Sequence, residues 1–214
     1  MEFKFLTPEE EKGLNTLELK QYYMKMRNFY KDKNLLLENT FHSFFHNIYG
    51  FFSRYIRNYD LEIRGIENIP MDDNVIFACN HSNANDTYTM HETFNKLFRP
   101  LTGSDCLNFL SYSLIGLAGG VFIDRDSKES SIYGTNKLIG KIIAGSNAVI
   151  FPEGTWCLHP VKPMLPCKTG IIKIAAKTNK KIVPVVFEYH EVNEFCTKAN
   201  QVIDKCVVQI GKAI

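Results

Sequence analysis

The polar segment after the apolar run Val75–Cys79 contains residue types suited to acid–base chemistry. It has the sequence NHSNAND, in which four residues separate His81 from Asp86, and a helical pattern follows. A carboxylate in the first turn of a helix is stabilised by the helix dipole, so Asp86 is expected to accept a hydrogen bond from one ring nitrogen of His81. The other ring nitrogen is then available as a base. The same pattern also fits a polar capping turn with an incidental histidine.

A second polar position follows the apolar run Val121–Ile123. Two glycines precede the run, and Asp124 and Arg125 come directly after it. The planar guanidinium of an arginine binds phosphate oxygens in pairs, so Arg125 is a candidate phosphate ligand. A surface ion pair between Arg125 and Asp124 or Asp126 is the alternative.

The third segment follows Ala148–Phe151 and reads Pro-Glu-Gly-Thr-Trp. Glu153 can bind a hydroxyl group, and Gly154 lets the backbone approach a ligand closely because it has no side chain. A plain turn between a strand and a helix is the alternative.

Short apolar runs alternate with helical patterns from Leu61 onward, which predicts an α/β fold with a largely parallel central sheet flanked by helices. The expected helices are Thr87–Leu97, Ser131–Ala144 and Gly170–Lys177. The expected strands are Leu61–Arg64, Val75–Cys79, Val121–Asp124, Ala148–Phe151, Ile182–Phe187 and Val207–Ile210. A proline inside the fifth run, Pro184, indicates an edge strand or the start of a strand. The polar segments come just after apolar runs, and ligands in such folds bind at the carboxyl ends of the strands.

The first 59 residues form an N-terminal helical appendage to this expected domain, which we place at residues 60–214. Thr7 and Pro8 have the pattern of a helix start. Phe41–Ile56 carries Phe and Tyr at three- and four-residue spacing on one face of a second helix. This face either packs on the domain or lies on a membrane surface.

Composition excludes several classes of protein. A net charge of +2 gives no reason to expect a nucleic-acid partner. The six cysteines have neither a CxxC pair nor regular spacing, so neither a disulfide framework nor a zinc ribbon is expected. His42 and His46 lack a third ligand of matching spacing, and we expect no metal. Without an apolar start or a spanning apolar run, the expected location is cytoplasmic, peripheral to the membrane.

Taken together and in this order, the segments resemble the glycerolipid acyltransferases typified by lysophosphatidic acid acyltransferase. The resemblance covers about residues 60 to 211. The matching blocks are His81 and Asp86 (His-x4-Asp), Gly120 to Arg125, Phe151 to Thr155 (Phe-Pro-Glu-Gly-Thr), the basic segment with Pro166, Lys168 and Gly170, and Val183 to Val185.

The resemblance implies a reaction and a role for each residue. A fatty acyl group would move from acyl-CoA or acyl-carrier protein to a hydroxyl of a lysophospholipid, without a bound cofactor. His81 would be the general base and Asp86 would orient it. The implied acceptor site consists of Arg125, Glu153, Gly154, Thr155, Trp156 and Lys168. No GxSxG nucleophile motif is present, in agreement with direct transfer.

One position departs from the family pattern. Where the family usually has an arginine after Phe-Pro-Glu-Gly-Thr, this chain has Trp156. Loss of that charged donor favours an acceptor with a different headgroup, unless Arg125 and Lys168 bind the phosphate alone. A non-catalytic lipid-binding protein of the same fold is a further alternative, against which the presence of His81, Asp86 and Glu153 argues.

Overall fold

Seven strands form one sheet in the described part of the chain. The structure is a computed structural model, and it describes residues 3–32, 35–56, 59–82, 85–94, 96–104, 113, 115–117, 119–157, 164–191 and 203–214. The strands are β1 (Asp60–Arg64), β2 (Ile76–Cys79), β3 (Phe98–Gly103), β4 (Val121–Ile123), β5 (Asn147–Ile150), β6 (Ile182–Glu191) and β7 (Ile203–Ile210). Their order in the sheet is β1-β7-β6-β2-β5-β3-β4. All neighbours are parallel except β6 and β7, which confirms the predicted largely parallel sheet.

The helices follow the predicted pattern of an N-terminal group and a set that flanks the sheet. They are α1 (Pro8–Lys12), α2 (Thr16–Asp32), α3 (Leu35–Ile56), α4 (Asp86–Thr93), α5 (Lys128–Ile143) and α6 (Gly170–Thr178), with a short 3-10 turn at Ile66–Asn68. Thr7 caps α1 as expected: its hydroxyl accepts the amide of Glu10, whose carboxylate accepts the amide of Thr7.

The sheet buries a separate apolar core on each face because successive side chains of a strand point to opposite sides. Phe77 of β2 belongs to one core, which α4 covers with Met90, and Ile76 belongs to the other. Helices α2, α5 and α6 cover that second face, with residues such as Met26, Leu138 and Ile174. Both faces of the sheet are therefore shielded, as expected for parallel strands.

Strand β3 is the element that the sequence patterns missed. The predicted helix Thr87–Leu97 ends at Thr93, and the strand begins at Phe98. The sequence did not predict this strand because Arg99 and Pro100 lie in it, and a charged residue and a proline are atypical of a buried strand. The structure accommodates Arg99 at 1% exposure because its Nε donates to the hydroxyl of Ser146, 3.1 Å away.

Pro184 is the third residue of β6, near the start of the strand as predicted, but β6 is not an edge strand. It lies between β2 and β7. The antiparallel pairing with β7 begins only at Val185, opposite Ile210, so the missing N–H of Pro184 falls before the first pair of that ladder.

Helix α3 has one buried and one exposed face. His42, His46 and Ser53 are buried against α4, where the Ser53 hydroxyl donates to Glu92 at 3.0 Å. Among the described residues no helix is both long and apolar enough to cross a bilayer. The division into an N-terminal segment 1–59 and a domain 60–214 stays a prediction.

Candidate active site

The polar segments predicted to meet at one edge of the sheet line a common cavity of approximately 720 Å³. His81 follows β2, Arg125 follows β4, and residues 152–156 follow β5. These strands are parallel within the sheet, so their carboxyl ends lie on the same side. A cavity of this size is in the range typical of small-molecule sites.

His81 and Asp86 form the central pair of the site. Nδ1 of His81 lies 2.7 Å from Oδ2 of Asp86, and Asp86 is the first residue of α4. Since an ionised carboxylate only accepts hydrogen bonds, Nδ1 carries the proton and Nε2 is the ring nitrogen that can accept another. This geometry is that of a histidine base oriented by a carboxylate.

The carboxylate of Asp86 is buried at 0% exposure and is held by donors from two further elements. The amide of Ser82 donates to Oδ2 at 2.9 Å, and the hydroxyl of Tyr189 on β6 donates to Oδ1 at 2.7 Å. Buried polar groups require such partners because desolvation is costly. The bonds fix the position of Asp86 and disperse its negative charge.

Aromatic rings restrict the imidazole of His81. The ring of Phe151 stacks on it with centroids 4.0 Å apart and an angle of 20° between the planes. Trp156 meets it edge-on, with centroids 5.4 Å apart at 80°. Trp156 remains 46% exposed and lines the cavity, so it contacts both the imidazole of His81 and the open space beside it.

Glu153 is buried behind the cavity and connects two loops. Its Oε1 accepts the amide of His81 at 2.7 Å, and its Oε2 accepts the amide of Leu165 at 2.6 Å. The carbonyl of His81 in turn accepts the amide of Cys157 at 2.7 Å. Glu153 thus holds the backbone of His81, and the prediction that it also binds the acceptor stays a prediction.

Gly154 has a left-handed backbone, with φ of 74°. Its amide donates a hydrogen bond to the carbonyl of Phe151, which closes a turn. A Cβ at this position would lie 2.8 Å from Nζ of Lys168, because the lysine side chain passes over the glycine. The amide of Lys168 bonds to the carbonyl of Pro152 at 2.8 Å. Absence of a side chain at Gly154 therefore brings the Lys168 ammonium to the cavity.

The cavity is apolar along most of its wall and has cations in one part. Arg125 and Lys168 supply positive charge, and Thr155 adds a hydroxyl. The apolar lining includes Met90, Leu101, Ile123, Ile150, Ile171 and Ile174. A ligand with a hydrocarbon chain and an anionic group matches this lining.

Six of the eight predicted site residues line the cavity, and Asp86 and Glu153 lie buried behind it with hydrogen bonds to His81. Tyr189, Thr89 and Tyr59 are contacts of Asp86 or of its partners that the sequence patterns did not identify. Tyr189 lies on the same face of β6 as Val183, Val185 and Phe187, because alternate residues of a strand point to the same side. This alternation could have predicted from the sequence that Tyr189 faces the interior.

A cluster of buried histidines lies beside the cavity where α3 meets α4. Nδ1 of His91 is 3.0 Å from Nδ1 of His46, and His91 also lines the cavity. Burial, reinforced by the neighbouring histidines, lowers the pKa of His91 to about 3. Burial also lowers the pKa of His46. Within the described residues, no group of three or more His, Cys, Asp or Glu is arranged to hold a metal ion.

A protein-family model described as Acyltransferase matches residues 60–188, more than half of the chain. The chain belongs to the acyltransferase family. The match begins at β1 and ends within β6, so it contains the strand ends that carry His81, Arg125 and Glu153. The resemblance inferred from the motifs is confirmed.

Individual acyltransferases are similar to parts of this chain. A 1-acyl-sn-glycerol-3-phosphate acyltransferase of Borreliella burgdorferi is 34% identical over 138 residues, which are 64% of this chain and 53% of that protein. A chloroplastic enzyme of the same name from Brassica napus is 27% identical over 68% of this chain and 42% of its own length. The chain thus spans about half or less of the length of these curated relatives.

The fold is also that of a solved acyltransferase. The crystal structure of the 1-acyl-sn-glycerophosphate acyltransferase of Thermotoga maritima superposes with a TM-score of 0.63 at 20% identity. The comparison covers 92% of this chain and 85% of the other. It therefore includes the sheet and at least part of the N-terminal helices.

Proposed function

We propose that the protein transfers a fatty acyl group from acyl-CoA or acyl-carrier protein to a hydroxyl of a lysophospholipid, 1-acyl-glycerol-3-phosphate or a related molecule. The observation that carries the proposal is the 2.7 Å contact between His81 Nδ1 and Asp86 Oδ2 beside a largely apolar cavity. Similar proteins from Borreliella burgdorferi and Brassica napus are 1-acyl-sn-glycerol-3-phosphate acyltransferases, which supports the same acceptor class.

The chemistry of the transfer needs one base and no covalent enzyme intermediate. Nε2 of His81 takes the proton of the acceptor hydroxyl while its oxygen attacks the thioester carbonyl carbon. The carbon–sulfur bond then breaks, and the leaving thiolate takes the proton from His81. Asp86 stabilises the imidazolium that exists between these two steps.

The cations of the cavity fit the anionic part of the acceptor. Arg125 presents a planar guanidinium and Lys168 a point charge, and both suit phosphate oxygens. The apolar wall fits an acyl chain, which gains free energy from leaving water. Trp156 favours the second candidate, the same chemistry with another headgroup, because a neutral ring stands where the family pattern has an arginine.

The donor and the acceptor are tested by release of free thiol. Purified protein receives oleoyl-CoA or oleoyl-acyl-carrier protein with lysophosphatidic acid and with other lysophospholipids. We expect thiol release that depends on an acceptor, with formation of the diacyl product. Lipid binding without thiol release for any pair would leave only the non-catalytic alternative.

The base is tested by replacing His81 with Ala. Turnover should fall by a factor on the order of 10² to 10⁴, the usual contribution of a general base. His190→Ala is the matched control, since His190 on β6 has a side chain about half exposed. Near-wild-type transfer by purified, folded His81→Ala would overturn the mechanism.

We also propose that α3 places the protein on a membrane surface. The exposed face of the helix carries Phe41, Phe44, Phe51 and Tyr55, all more than half exposed. The opposite face packs on α4, the helix that begins with Asp86. A bilayer in contact with the exposed face would lie one helix away from the catalytic pair, where a lipid acceptor is available.

A further inference from the structure

A chain of hydroxyl groups ends on the catalytic carboxylate. The hydroxyl of Tyr189 is 2.7 Å from Oδ1 of Asp86, that of Thr89 is 3.2 Å from Tyr189, and that of Tyr59 is 2.8 Å from Thr89. The three come from separate elements: Tyr59 precedes β1, Thr89 lies on α4 and Tyr189 on β6. Tyr189 and Asp86 are 103 positions apart in the sequence, and Tyr189 is the member of the chain that contacts the carboxylate.

The number of protons fixes the direction of two bonds in this chain. Ionised Asp86 has no proton, so Tyr189 must donate to it. Tyr189 has then used its single proton and can only accept in its 3.2 Å contact with Thr89. The single proton of Thr89 has the carbonyl of Asn85, 3.0 Å away, as a second acceptor, and with that proton in use Tyr59 must donate to Thr89. Tyr59 and Tyr189 thus both donate in the direction of Asp86, and hydrogen bonds within such a network polarise one another.

The surrounding structure holds this chain rigidly. Tyr59 is 7% exposed, Thr89 is 1% exposed, and the rings of Tyr59 and Tyr189 pack edge to face with centroids 6.0 Å apart. Strand β6 is bonded to β2 and to β7, and the Asn80 side chain exchanges two hydrogen bonds with the backbone of Phe187. The backbone of Tyr189 is paired with Cys206 of β7, and its ring packs on Tyr59, so the position of its hydroxyl beside Asp86 is restricted.

We propose that Tyr189, supported by Thr89 and Tyr59, is a positioning residue that sets the strength of His81 as a base by drawing charge from Asp86. The inference rests on the proposed His81–Asp86 mechanism. A carboxylate that already accepts a strong hydrogen bond on Oδ1 attracts the Nδ1 proton of His81 less strongly. The same bond holds Asp86 in the position from which it orients the ring of His81.

Other titratable groups near the pair have defined roles. Burial, with the charge of Asp86 as a smaller cause, raises the pKa of Tyr189 and of Cys79 well above their usual values, so both stay neutral in the assay range. Glu153 accepts the amide of His81. Further titratable groups that face the network or the cavity, among the described residues, include Tyr59 before β1, Cys157 after β5, Cys206 on β7, His91 on α4, Arg125 after β4 and Lys168 before α6.

The test is the pH profile of kcat/KM for thiol release in wild type, Tyr189→Phe and Tyr59→Phe. Loss of the Tyr189 donor concentrates charge on Asp86, so His81 holds its proton to higher pH. The acidic limb of the Tyr189→Phe profile should move up by about 0.5–1 pH unit. Because Asp86 also loses one of the bonds that hold it in position for His81, kcat should fall by roughly tenfold with little change in the KM of the acceptor. Tyr59→Phe should shift the limb in the same direction by less.

Controls separate the failure of this inference from failure of the mechanism. Tyr133→Phe, on the outer side of α5, should leave the profile unchanged. If His81→Ala is inactive but Tyr189→Phe loses activity equally at every pH, Tyr189 only packs and the inference is wrong. If His81→Ala is active, the mechanism itself fails. Should Tyr189→Phe not fold, Tyr59→Phe decides alone, and an unshifted limb in that variant overturns the inference.

Discussion

At the scale of single residues, Trp156 is the position on which the proposed choice of acceptor depends most directly. It touches the imidazole of His81 and lines the same cavity as Arg125 and Lys168. An arginine there would add a fixed charge with several donors beside two existing cations. In the proposed reaction, the side chain at this position would set how much of the headgroup's charge the protein compensates.

Trp156→Arg should raise kcat/KM for lysophosphatidic acid relative to other lysophospholipids. Hydrogen bonds to charged groups contribute about 1.5–3 kcal/mol, or roughly ten- to a hundredfold in kcat/KM. Trp156→Leu is the matched control, because it removes the indole without adding charge. An unchanged order of preference in Trp156→Arg would show that this residue does not touch the acceptor.

Residues that act through local patterns were predictable, and those that act through distant contacts were not. His81 and Asp86 are five positions apart and lie at a strand end and a helix start, so both the pair and its geometry followed from the sequence. Tyr59 and Tyr189 are 130 positions apart, and neither has a local pattern that differs from that of a buried aromatic. Only the strand order brings Tyr189 to Asp86 and Tyr59 to Thr89.

At the scale of secondary-structure elements, α3 has two faces with different surroundings. One face packs on the domain, and contact of the other face with a membrane surface stays a prediction. His42, His46 and Ser53 pack on the domain, whereas Phe41, Phe44, Phe51 and Tyr55 remain exposed. The side chains of Phe52 and Ile56 lie outside the described residues.

Replacing Phe41, Phe44 and Phe51 with Ser should greatly reduce binding to anionic phospholipid vesicles and leave the free energy of unfolding nearly unchanged. Exposed rings stabilise the folded state little, but they lose contact with water on entering a bilayer. Vesicle co-sedimentation and urea unfolding measure the two effects. Met71→Ser, at a residue 74% exposed outside α3, is the control. Wild-type vesicle binding by the triple variant would rule out the membrane role.

Strands were predictable where burial on both faces produced a continuous apolar run, as in β2 and β5. Strand β3 was missed because its buried arginine depends on Ser146, which a local pattern does not reveal. Strand β7 begins at Ile203, four residues before its predicted start, because Asp204 and Lys205 interrupt the apolar pattern. Its first half pairs with β1 and β6 through the backbone, which places no requirement on side-chain type.

At the scale of the whole molecule, the buried histidines between α3 and α4 make stability depend on pH. The pKa of His91 is lowered from its usual value of 6.5 to about 3 because burial disfavours the charged ring. Below pH 6.5 the unfolded chain binds a proton at this position and the folded chain does not. The free energy of unfolding therefore falls as the pH decreases from 6.5 toward 3.

Protonation of His91 in the unfolded chain should lower the free energy of unfolding by about 2 kcal/mol between pH 7 and pH 5. His91→Gln cannot titrate, and its loss of stability over this interval should be smaller by that amount. Urea unfolding at both pH values gives the comparison, with His190→Gln as an exposed control. If the free energy of unfolding had the same pH dependence in wild type and His91→Gln, His91 would bind its proton as readily in the folded chain as in the unfolded chain, and this prediction would be wrong.

The position of β7 also has a consequence for the order in which the molecule is assembled during translation. Strand β1 leaves the ribosome early, yet its hydrogen-bonded neighbour among the described strands is β7, and β7 also borders β6. A nascent chain can form β2, β3, β4 and β5 first, but residues 60–64 must wait for residues 203–210. Tyr59 precedes β1 directly, so its place near Asp86 is secured only at that last step. A partly synthesised chain thus carries His81 and Asp86 before the strands that hold Tyr59 and Tyr189 are in place, and the proposed site is complete only when the sheet is complete.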